Sequence, residues 1–148
     1  MFNEKYMEMA LKLAFDASQS GEVPVGCIIT DKDGNVIGKG QNRRETNQNA
    51  LDHAEIEAID QACRSLKSWR LDGCSLYVTL EPCPMCAGAI INSRISELYY
   101  GAKDPNTGSC GSVINLFMEK YGHEPKIIGG IMEKECSDCL QAFFKSIR

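Results

Sequence analysis

The sequence predicts an α/β fold in which a partly parallel β-sheet is covered by helices. Short apolar runs rich in β-branched residues alternate along the chain with segments of helical periodicity, a pattern typical of βα units. The turn sequence "DKDGN" separates two of these runs and predicts a β-hairpin. Because the 148 residues contain no repeat and no linker-like stretch, we expect one domain that spans residues 1–148.

The first part of the chain is predicted to form a helix, the hairpin and a second helix. Apolar residues recur at helical spacing in "YMEMALKLAFDA", and Gly21 follows as a stop. The hairpin spans 25–40, and the polar segment 41–51 is predicted to be a loop. The second helix is expected to begin near His53, with Asp52 as its N-cap. Its apolar face is expected to consist of Ile56, Ile59, Cys63 and Leu66.

Strands and helices continue to alternate in the rest of the chain. Further strands are predicted in "SLYVTL", "ELYYGA" and "KIIGGIM". Helices are predicted in "CAGAIINS", "VINLFMEKY" and "EKECSDCLQAFFKSIR". The segment "KDPNTGSCGS" is predicted to be a loop because it contains Asp-Pro and two glycines.

Composition and charge exclude several classes of protein. The chain has no apolar run long enough for a membrane span and no signal peptide, so we expect a cytoplasmic protein without a membrane partner. A net charge of −4 argues against broad non-specific nucleic-acid binding, although a local basic patch for a small RNA loop is compatible with it. In a reducing compartment, clustered cysteines indicate metal binding or catalysis rather than disulfides.

Such a cluster is present in "LEPCPMC", residues 80–86. Cys83 and Cys86 lie where a predicted strand ends and a helix begins, and Pro84 suits the first helical turn. Residues three apart near a helix start share a face, and the helix dipole favours the thiolate form that binds metal. A redox dithiol is the weaker interpretation, because nothing else in the chain resembles a thioredoxin-like unit.

Two cysteines alone provide neither a third metal ligand nor a proton carrier, and His53 and Glu55 are candidates for these roles. Alone, a histidine at a helix start is more often a surface or capping residue, but beside the cysteine pair it is a candidate third ligand. Three protein ligands with an open fourth position are typical of catalytic zinc sites, where the metal lowers the pKa of water towards ~7. Glu55 is the candidate general base, and the alternative is a carboxylate favoured only by the helix dipole.

A second Cys-x-x-Cys pair, Cys136 and Cys139, permits a rival site. Four cysteines can form a closed structural zinc site, but these pairs are roughly 50 residues apart, whereas zinc-ribbon pairs are usually separated by about 15–20 residues. Both cysteines also fall in a predicted helix with an apolar stripe. We therefore favour core packing for this pair.

His-Ala-Glu at 53–55 and Pro-Cys-x-x-Cys at 82–86 together form the signature of zinc deaminases. The chain resembles the cytidine deaminase superfamily and, more closely, the bacterial tRNA-specific adenosine deaminase family. The resemblance covers nearly the whole chain, and "GAKDPNTGSCGSVINLF" together with the asparagine after "GKGQ" favours the tRNA branch. Residues 49–52 read "NALD" where members often have Asp-Pro-Thr-Ala, a departure that leaves the ligands untouched.

The resemblance implies a cytidine deaminase-like fold, a three-layer α/β/α sandwich with a five-stranded mixed sheet. It also implies one Zn²⁺ per subunit and a homodimer. The implied reaction is hydrolytic deamination of adenosine to inosine at the wobble position of a tRNA anticodon, with an arginine tRNA as partner. Glu55 would carry a proton from the attacking water to the base. A free-base deaminase for guanine or cytosine is the alternative, because it needs the same zinc site.

The resemblance also assigns substrate contacts. Asn42 and the backbone of Ala54 would hold the target base. The RNA-facing rim would contain Lys103, Asp104, Phe143, Phe144 and Lys145. Dimerisation could bring further basic residues to the RNA, namely Arg43, Arg44, Arg70 and Arg94.

Overall fold

The computed structural model describes residues 2–147 and places five strands in one mixed sheet, in the order β2-β1-β3-β4-β5. The strands are β1 Gly26–Thr30, β2 Val36–Gln41, β3 Ser75–Leu80, β4 Glu97–Ala102 and β5 Lys126–Ile128. β1 pairs antiparallel with both β2 and β3, whereas β3, β4 and β5 run parallel. The predicted hairpin and the five-stranded mixed sheet are thus confirmed.

Helices cover both faces of this sheet. They are α1 Lys5–Gln19, α2 Arg44–Asn47, α3 Ala54–Leu66, α4 Pro84–Ser93 and α5 Glu133–Ser146. α1 and α5 pack on one face and contact each other, whereas α3 and α4 lie side by side on the other face. The three-layer α/β/α sandwich is therefore confirmed. No helix within residues 2–147 combines the length and apolarity that a membrane span requires.

Two glycines let helices approach the sheet closely. A Cβ atom at Gly26 of β1 would lie 2.8 Å from the amide nitrogen of Ala14 in α1, and one at Gly40 of β2 would lie 2.8 Å from the amide nitrogen of Ala58 in α3. Only a residue without Cβ permits such contact between a helix backbone and a strand. The first turns of α3 are consequently held directly against β2.

This close approach rotates α3 away from its predicted orientation. Its buried residues are Ala54, Glu55, Ala58 and Ala62. The expected apolar face is only partly correct: Ile59 and Cys63 are half-buried and pack against the core, but Ile56 is half-buried outside that cluster and Leu66 is exposed. Small alanines occupy the narrow space above β2.

Two local predictions also require correction. His53, not Asp52, is the N-cap residue of α3, and Asp52 instead accepts a hydrogen bond from Nδ2 of Asn47 at 2.7 Å. The helix predicted in "VINLFMEKY" is wrong, because this segment forms only one 3₁₀ turn at Leu116–Met118. Asn115 caps that turn by accepting from the amide of Phe117, so the backbone is satisfied without an α-helix.

The strand directions place three loops at one edge of the sheet. β2, β3 and β4 all run towards this edge, where they are followed by Asn42, Glu81 and Asp104. α3 and α4 begin at the same edge, after the loops that leave β2 and β3. Ligands of open α/β sheets bind in crevices at the carboxyl ends of strands. The fold therefore directs attention to this edge.

Candidate active site

His53, Cys83 and Cys86 meet where α3 and α4 begin. His53 is the N-cap residue of α3 and Cys83 that of α4, and both have extended backbones. Pro84 occupies the first position of α4, and Cys86 follows in the first turn. Nδ1 of His53 lies 3.5 Å from Sγ of Cys83 and 3.5 Å from Sγ of Cys86. The ligand atoms of the three residues all lie within 4.8 Å of one another.

The pKa values of the Cys83 and Cys86 thiols are shifted in opposite directions. The hydrogen bond from Cys86 lowers the pKa of the Cys83 thiol to about 4, against the opposing effect of burial. The same hydrogen bond, together with burial, raises the pKa of Cys86. The hydrogen bond with Cys83 raises the pKa of His53. The two thiols thus share a proton that a bound cation would displace, so metal binding should release protons.

The donor set suits a metal ion. Among residues 2–147, these three side chains are the group of histidine, cysteine and acidic residues whose ligand atoms converge closely enough to hold one. Imidazole nitrogen and thiolate sulfur favour ions of the zinc type over Ca²⁺ or Mg²⁺, which prefer oxygen. The sequence prediction that these residues come together therefore agrees with the geometry.

Glu55 lies beside the ligands but outside their set. Only 4% of its surface is exposed, and it lines the same cavity as His53 and Cys83. Burial raises the pKa of its carboxyl to about 7, and the negative charge of Cys83 adds to this effect. A carboxyl group with a pKa near neutrality can both accept and release a proton at cellular pH. The arrangement is that of a proton carrier next to a metal site.

A cavity with a volume of about 160 Å³ opens above these residues. Val23, Val25 and Leu80 form apolar parts of its wall, and Ala54 lines it beside the candidate ligands. Its polar lining residues include Asn42, Arg44, Asp104 and Thr107.

Asn42 presents a partly engaged amide to the cavity. Its Oδ1 accepts a hydrogen bond from the amide of Arg44 at 3.2 Å, and its Nδ2 donates one to the carbonyl of Val23 at 3.3 Å. An asparagine amide has two donor hydrogens and two acceptor lone pairs. One donor and one acceptor therefore remain for a ligand, which suits recognition of a base edge.

Asp104 shapes the opposite wall of the cavity. Its carboxylate accepts from the amides of Asn106 and Thr107, at 2.9 and 3.2 Å, and from the hydroxyl of Thr107 at 2.7 Å. These bonds close a tight turn in the loop that follows β4. Asp104 therefore fixes the shape of the loop in addition to lining the cavity.

A groove continues outwards from the cavity and shares four of its lining residues. Lys103, Asp104 and Phe144 line this groove, and the side chain of Phe144 is 44% exposed. The ring of Phe143 lies 5.4 Å from that of Phe144. Lys145 is exposed on α5 and does not line the groove.

The other basic residues considered for RNA binding lie in separate places. Arg44 lines the cavity, and Arg43 forms an ion pair with Glu57 at 2.8 Å. Arg70 and Arg94 flank the exposed ring of Trp69, at 5.2 and 5.8 Å from its centroid.

The second cysteine pair lies apart from this site. Cys136 is 1% exposed and belongs to the apolar core between the sheet and the α1/α5 layer, and Cys139 is half-buried on the same helix. Their thiols are not part of the converging ligand group among the described residues. The closed four-cysteine site is therefore not formed.

Five residues that line the cavity are missing from the site predicted from sequence: the apolar Val23, Val25 and Leu80, and the polar Glu81 and Thr107. Glu81 could have been noticed in the sequence, because an acidic residue directly after the buried strand β3 requires hydrogen-bond partners. Nothing in the sequence points to Thr107, since its position depends on how the turn at Asp104 folds.

Comparisons with known proteins agree with this site. The chain matches the model of the MafB19-like deaminase family over residues 1–148. It is 45% identical to the tRNA-specific adenosine deaminase of Bacillus subtilis (strain 168), over 99% of this chain and 91% of that protein. A solved structure from work on A-to-I editing by tRNA:A34 deaminases at the wobble position of transfer RNA is 42% identical, with a TM-score of 0.90, over 93% of this chain and 100% of that one.

A guanine deaminase from Bacillus subtilis is also similar. It is 39% identical with a TM-score of 0.65, but the match covers 70% of this chain and 66% of that one. The adenosine deaminase matches extend over more of the chain and of the fold. The chain therefore matches the MafB19-like deaminase family over its whole length and belongs to the tRNA-specific adenosine deaminases.

Proposed function

We propose that this protein converts adenosine to inosine at the wobble position of a tRNA anticodon by hydrolysis that releases ammonia. The observation that carries the proposal is the convergence of His53, Cys83 and Cys86 with the buried carboxyl of Glu55 in one cavity. The names of the similar proteins support adenosine in tRNA as the substrate. An arginine tRNA is the proposed partner, and the cytoplasm the proposed compartment.

The proposed cofactor is one Zn²⁺ per subunit, held by His53, Cys83 and Cys86. A tetrahedral zinc ion with bonds of about 2.0–2.1 Å to nitrogen and about 2.3 Å to sulfur separates these atoms by about 3.5 Å. The two distances from Nδ1 of His53 to the sulfur atoms are both 3.5 Å. The donor set thus fits the ion. When bound, zinc supplies the Lewis acidity that activates a water molecule for attack on the base.

Side chains and backbone of the protein then transfer the proton, hold the base and exclude water. Glu55 takes the proton of the attacking water, delivers it to the ring nitrogen of the base and assists the departure of ammonia. The free donor and acceptor of Asn42, with the backbone of Ala54, hold the edge of the flipped-out base. Val23, Val25 and Leu80 pack around the ring and exclude bulk water.

The groove next to the cavity is proposed to bind the nucleotides that flank the target. Phe144 offers an exposed ring for base stacking, with Phe143 packed against it, and Lys103 offers a charge for phosphate. Asp104 fixes the loop that lines both the groove and the cavity. Lys145 lies on the same helix as the two aromatic residues and extends the basic rim.

A homodimer is the proposed assembly, with the outer surface of α3 and α4 as its interface. Apolar side chains that the sheet does not bury collect there. Ile56 and Met85 line one shallow depression with the exposed Leu51, and Ile59 lines a second one with the exposed Trp69. A second copy of the chain would remove this apolar surface from water.

The decisive experiment combines metal analysis with inosine detection. The zinc-loaded protein is incubated with an anticodon stem-loop of an arginine tRNA carrying adenosine at the wobble position, and with free guanine, cytosine and cytidine. We expect inosine in the stem-loop and no comparable release of ammonia from the free compounds. Deamination of guanine without conversion of the stem-loop would replace the proposal with the free-base alternative.

A further inference from the structure

Glu81 is a buried acid for which the proposed reaction has no task. It lies between the last residue of β3 and the metal-ligand segment that starts at Cys83, and only 2% of its surface is exposed. An ionised carboxylate in such a place is costly unless hydrogen bonds compensate for the lost water. The partners of Glu81 therefore indicate what it does.

All these partners belong to the loop that follows β4. Oε1 accepts from the amide of Asp104 at 3.1 Å and from the hydroxyl of Ser112. Oε2 accepts from the amide of Cys110 at 2.8 Å and from the amide of Ser112 at 3.2 Å. Each carboxylate oxygen thus has two donors, so its lone pairs are fully used. All four hydrogen bonds to the Glu81 carboxylate thus come from one contiguous segment, residues 104–112.

Backbone contacts bring this segment still closer to Glu81. The amide of Glu81 donates to the carbonyl of Ala102 at 2.8 Å, and the amide of Ser109 donates to the carbonyl of Pro82 at 2.9 Å. Gly108 lies against the carboxylate, and a Cβ atom there would clash with it. The loop therefore wraps around a carboxylate whose own position is fixed by strand β3.

We infer that Glu81 is a positioning residue that fixes the substrate-facing wall of the cavity, formed by Asp104 and Thr107, relative to the metal ligands. The inference rests on the proposed function, since it assigns this wall to the bound nucleotide. The geometry carries it, because one side chain joins the segment before Cys83 to both ends of the wall loop. Hydrogen bonds from Asp104, Cys110 and Ser112 hold the carboxylate in this place.

A positioning role differs from a catalytic one in a measurable way. The oxygens of Glu81 have no free lone pair for a proton, whereas Glu55 has a raised pKa and lies beside the ligands. Loss of the anchor should therefore weaken substrate binding more than the chemical step. The pH profile of turnover should keep its shape, because Glu81 does not exchange protons during the reaction.

The test uses Glu81→Gln, which has nearly the same shape but replaces one acceptor oxygen with a donor facing other donors. Ser112→Ala is the milder variant, since it removes a single donor from the same carboxylate. Glu97→Gln is the matched control. Glu97 accepts from the hydroxyls of Ser75 and Tyr99 at the other end of β4, away from the cavity.

The zinc-loaded proteins are compared for KM and kcat on the stem-loop, metal content and amide exchange. For Glu81→Gln we expect KM to rise about tenfold, because buried donors left without an acceptor destabilise the loop that faces the nucleotide. kcat should stay within about threefold, metal content should be unchanged, and the amides of Cys110 and Ser112 should exchange faster. Ser112→Ala should shift KM in the same direction by less, and Glu97→Gln should match the original protein.

Several outcomes would overturn the inference. Unchanged KM and unchanged amide exchange in Glu81→Gln would show that the wall does not need the anchor. A fall in kcat with an altered pH profile would make Glu81 a catalytic residue, and loss of metal would make it a support of the ligands. If Glu81→Gln does not fold, Ser112→Ala decides, and unchanged KM there counts against the inference. Inactivity of the original protein would instead reject the proposed function, while the exchange measurement still judges the anchor.

Discussion

At the scale of single residues, the environment of Glu55 separates it from the other acids of the chain. It is buried, its pKa is raised to about 7 and it lines the cavity beside the metal ligands. Glu22 and Glu81 are equally buried, but hydrogen-bond donors surround them and lower their pKa values. For Glu55, burial outweighs the hydrogen bonds from its own amide and from Cys86, which lower the pKa. The balance between burial and hydrogen bonding, not burial alone, therefore distinguishes the candidate proton carrier.

Glu55→Gln is expected to abolish turnover without disturbing the site. General acid–base catalysis by a positioned side chain typically contributes about 10²–10⁴-fold, so inosine formation should fall by at least this factor. Metal content and thermal stability should remain those of the original protein, because Glu55 is not a ligand. Asp60→Asn, which changes an exposed acid further along α3, serves as the control. Full activity of Glu55→Gln would exclude the proposed proton transfer.

Glu22 should make stability depend on pH in a predictable direction. Its carboxylate accepts from the amides of Glu45 and Thr46, at 3.1 and 2.6 Å, and from the hydroxyl of Thr46 at 2.6 Å. Burial opposes these bonds, but their net effect lowers its pKa. A group with a lowered folded pKa stabilises the protein above its unfolded pKa of about 4.3. This stabilisation is lost as the pH falls through the lower, folded value.

We therefore expect Glu22→Gln to lower the free energy of unfolding at neutral pH by about 1–3 kcal/mol, the usual range for hydrogen bonds to a buried charged group. The difference between the two proteins should shrink once the pH falls below about 4. Urea unfolding at a series of pH values measures it. A difference that stays constant down to the acid limit would contradict the predicted role of the charge.

At the scale of elements, size rather than hydrophobicity decides how α3 lies on the sheet. The sequence pattern predicted that Ile56, Ile59 and Leu66 face the core, but Ala54, Ala58 and Ala62 lie against the sheet, and Ile59 packs against the core only partly buried. The close approach at Gly40 leaves no room for larger side chains. A hydrophobic period of 3.6 residues identifies a helix. It does not show whether the apolar stripe of that helix faces the sheet or an outer surface that another molecule can cover.

Most other elements could be predicted from local signals. Pro84 after Cys83 predicts the start of a helix, and Gly21 after α1 predicts the end of one. The alternation of strands and helices predicts the sheet. The 113–121 segment could not be predicted, because its backbone bonds depend on the 104–112 loop nearby. The ligand cluster was predictable because each ligand lies at a helix start. Glu81 acquires its role only through residues 104–112, so spacing along the chain does not show it.

Gly40→Ala and Gly26→Ala form a matched pair that tests the contact between helix and sheet. Both add a methyl group beneath a helix, and overpacking of this kind typically costs about 1–3 kcal/mol of stability. Gly40 lies under the first turns of α3, next to His53, whereas Gly26 lies under α1. We expect both variants to be less stable, but only Gly40→Ala to lose metal affinity, by about tenfold or more. Competition with a chelator measures the affinity, and equal losses in both variants would contradict the local effect.

At the scale of the whole molecule, the apolar surface of α3 and α4 predicts self-association. Ile56→Glu places a charge in the centre of the proposed interface, where a buried unpaired charge is strongly unfavourable. We expect the dimer to become a monomer in sedimentation velocity, with the fold retained. Phe15→Glu is the matched control, because Phe15 is 56% exposed on α1, in the opposite helix layer. A monomeric original protein, or a dimeric Ile56→Glu variant, would contradict the proposed assembly.

The hydrogen bonds between residues 104–112 and Glu81 also have a consequence for biosynthesis. The three candidate ligands lie between residues 53 and 86, whereas the loop that Glu81 anchors ends at Ser112. A ribosome adding roughly 5–20 residues per second delivers the complete ligand set on the order of seconds before the loop. All three candidate ligands are therefore synthesised before the loop that completes the cavity wall.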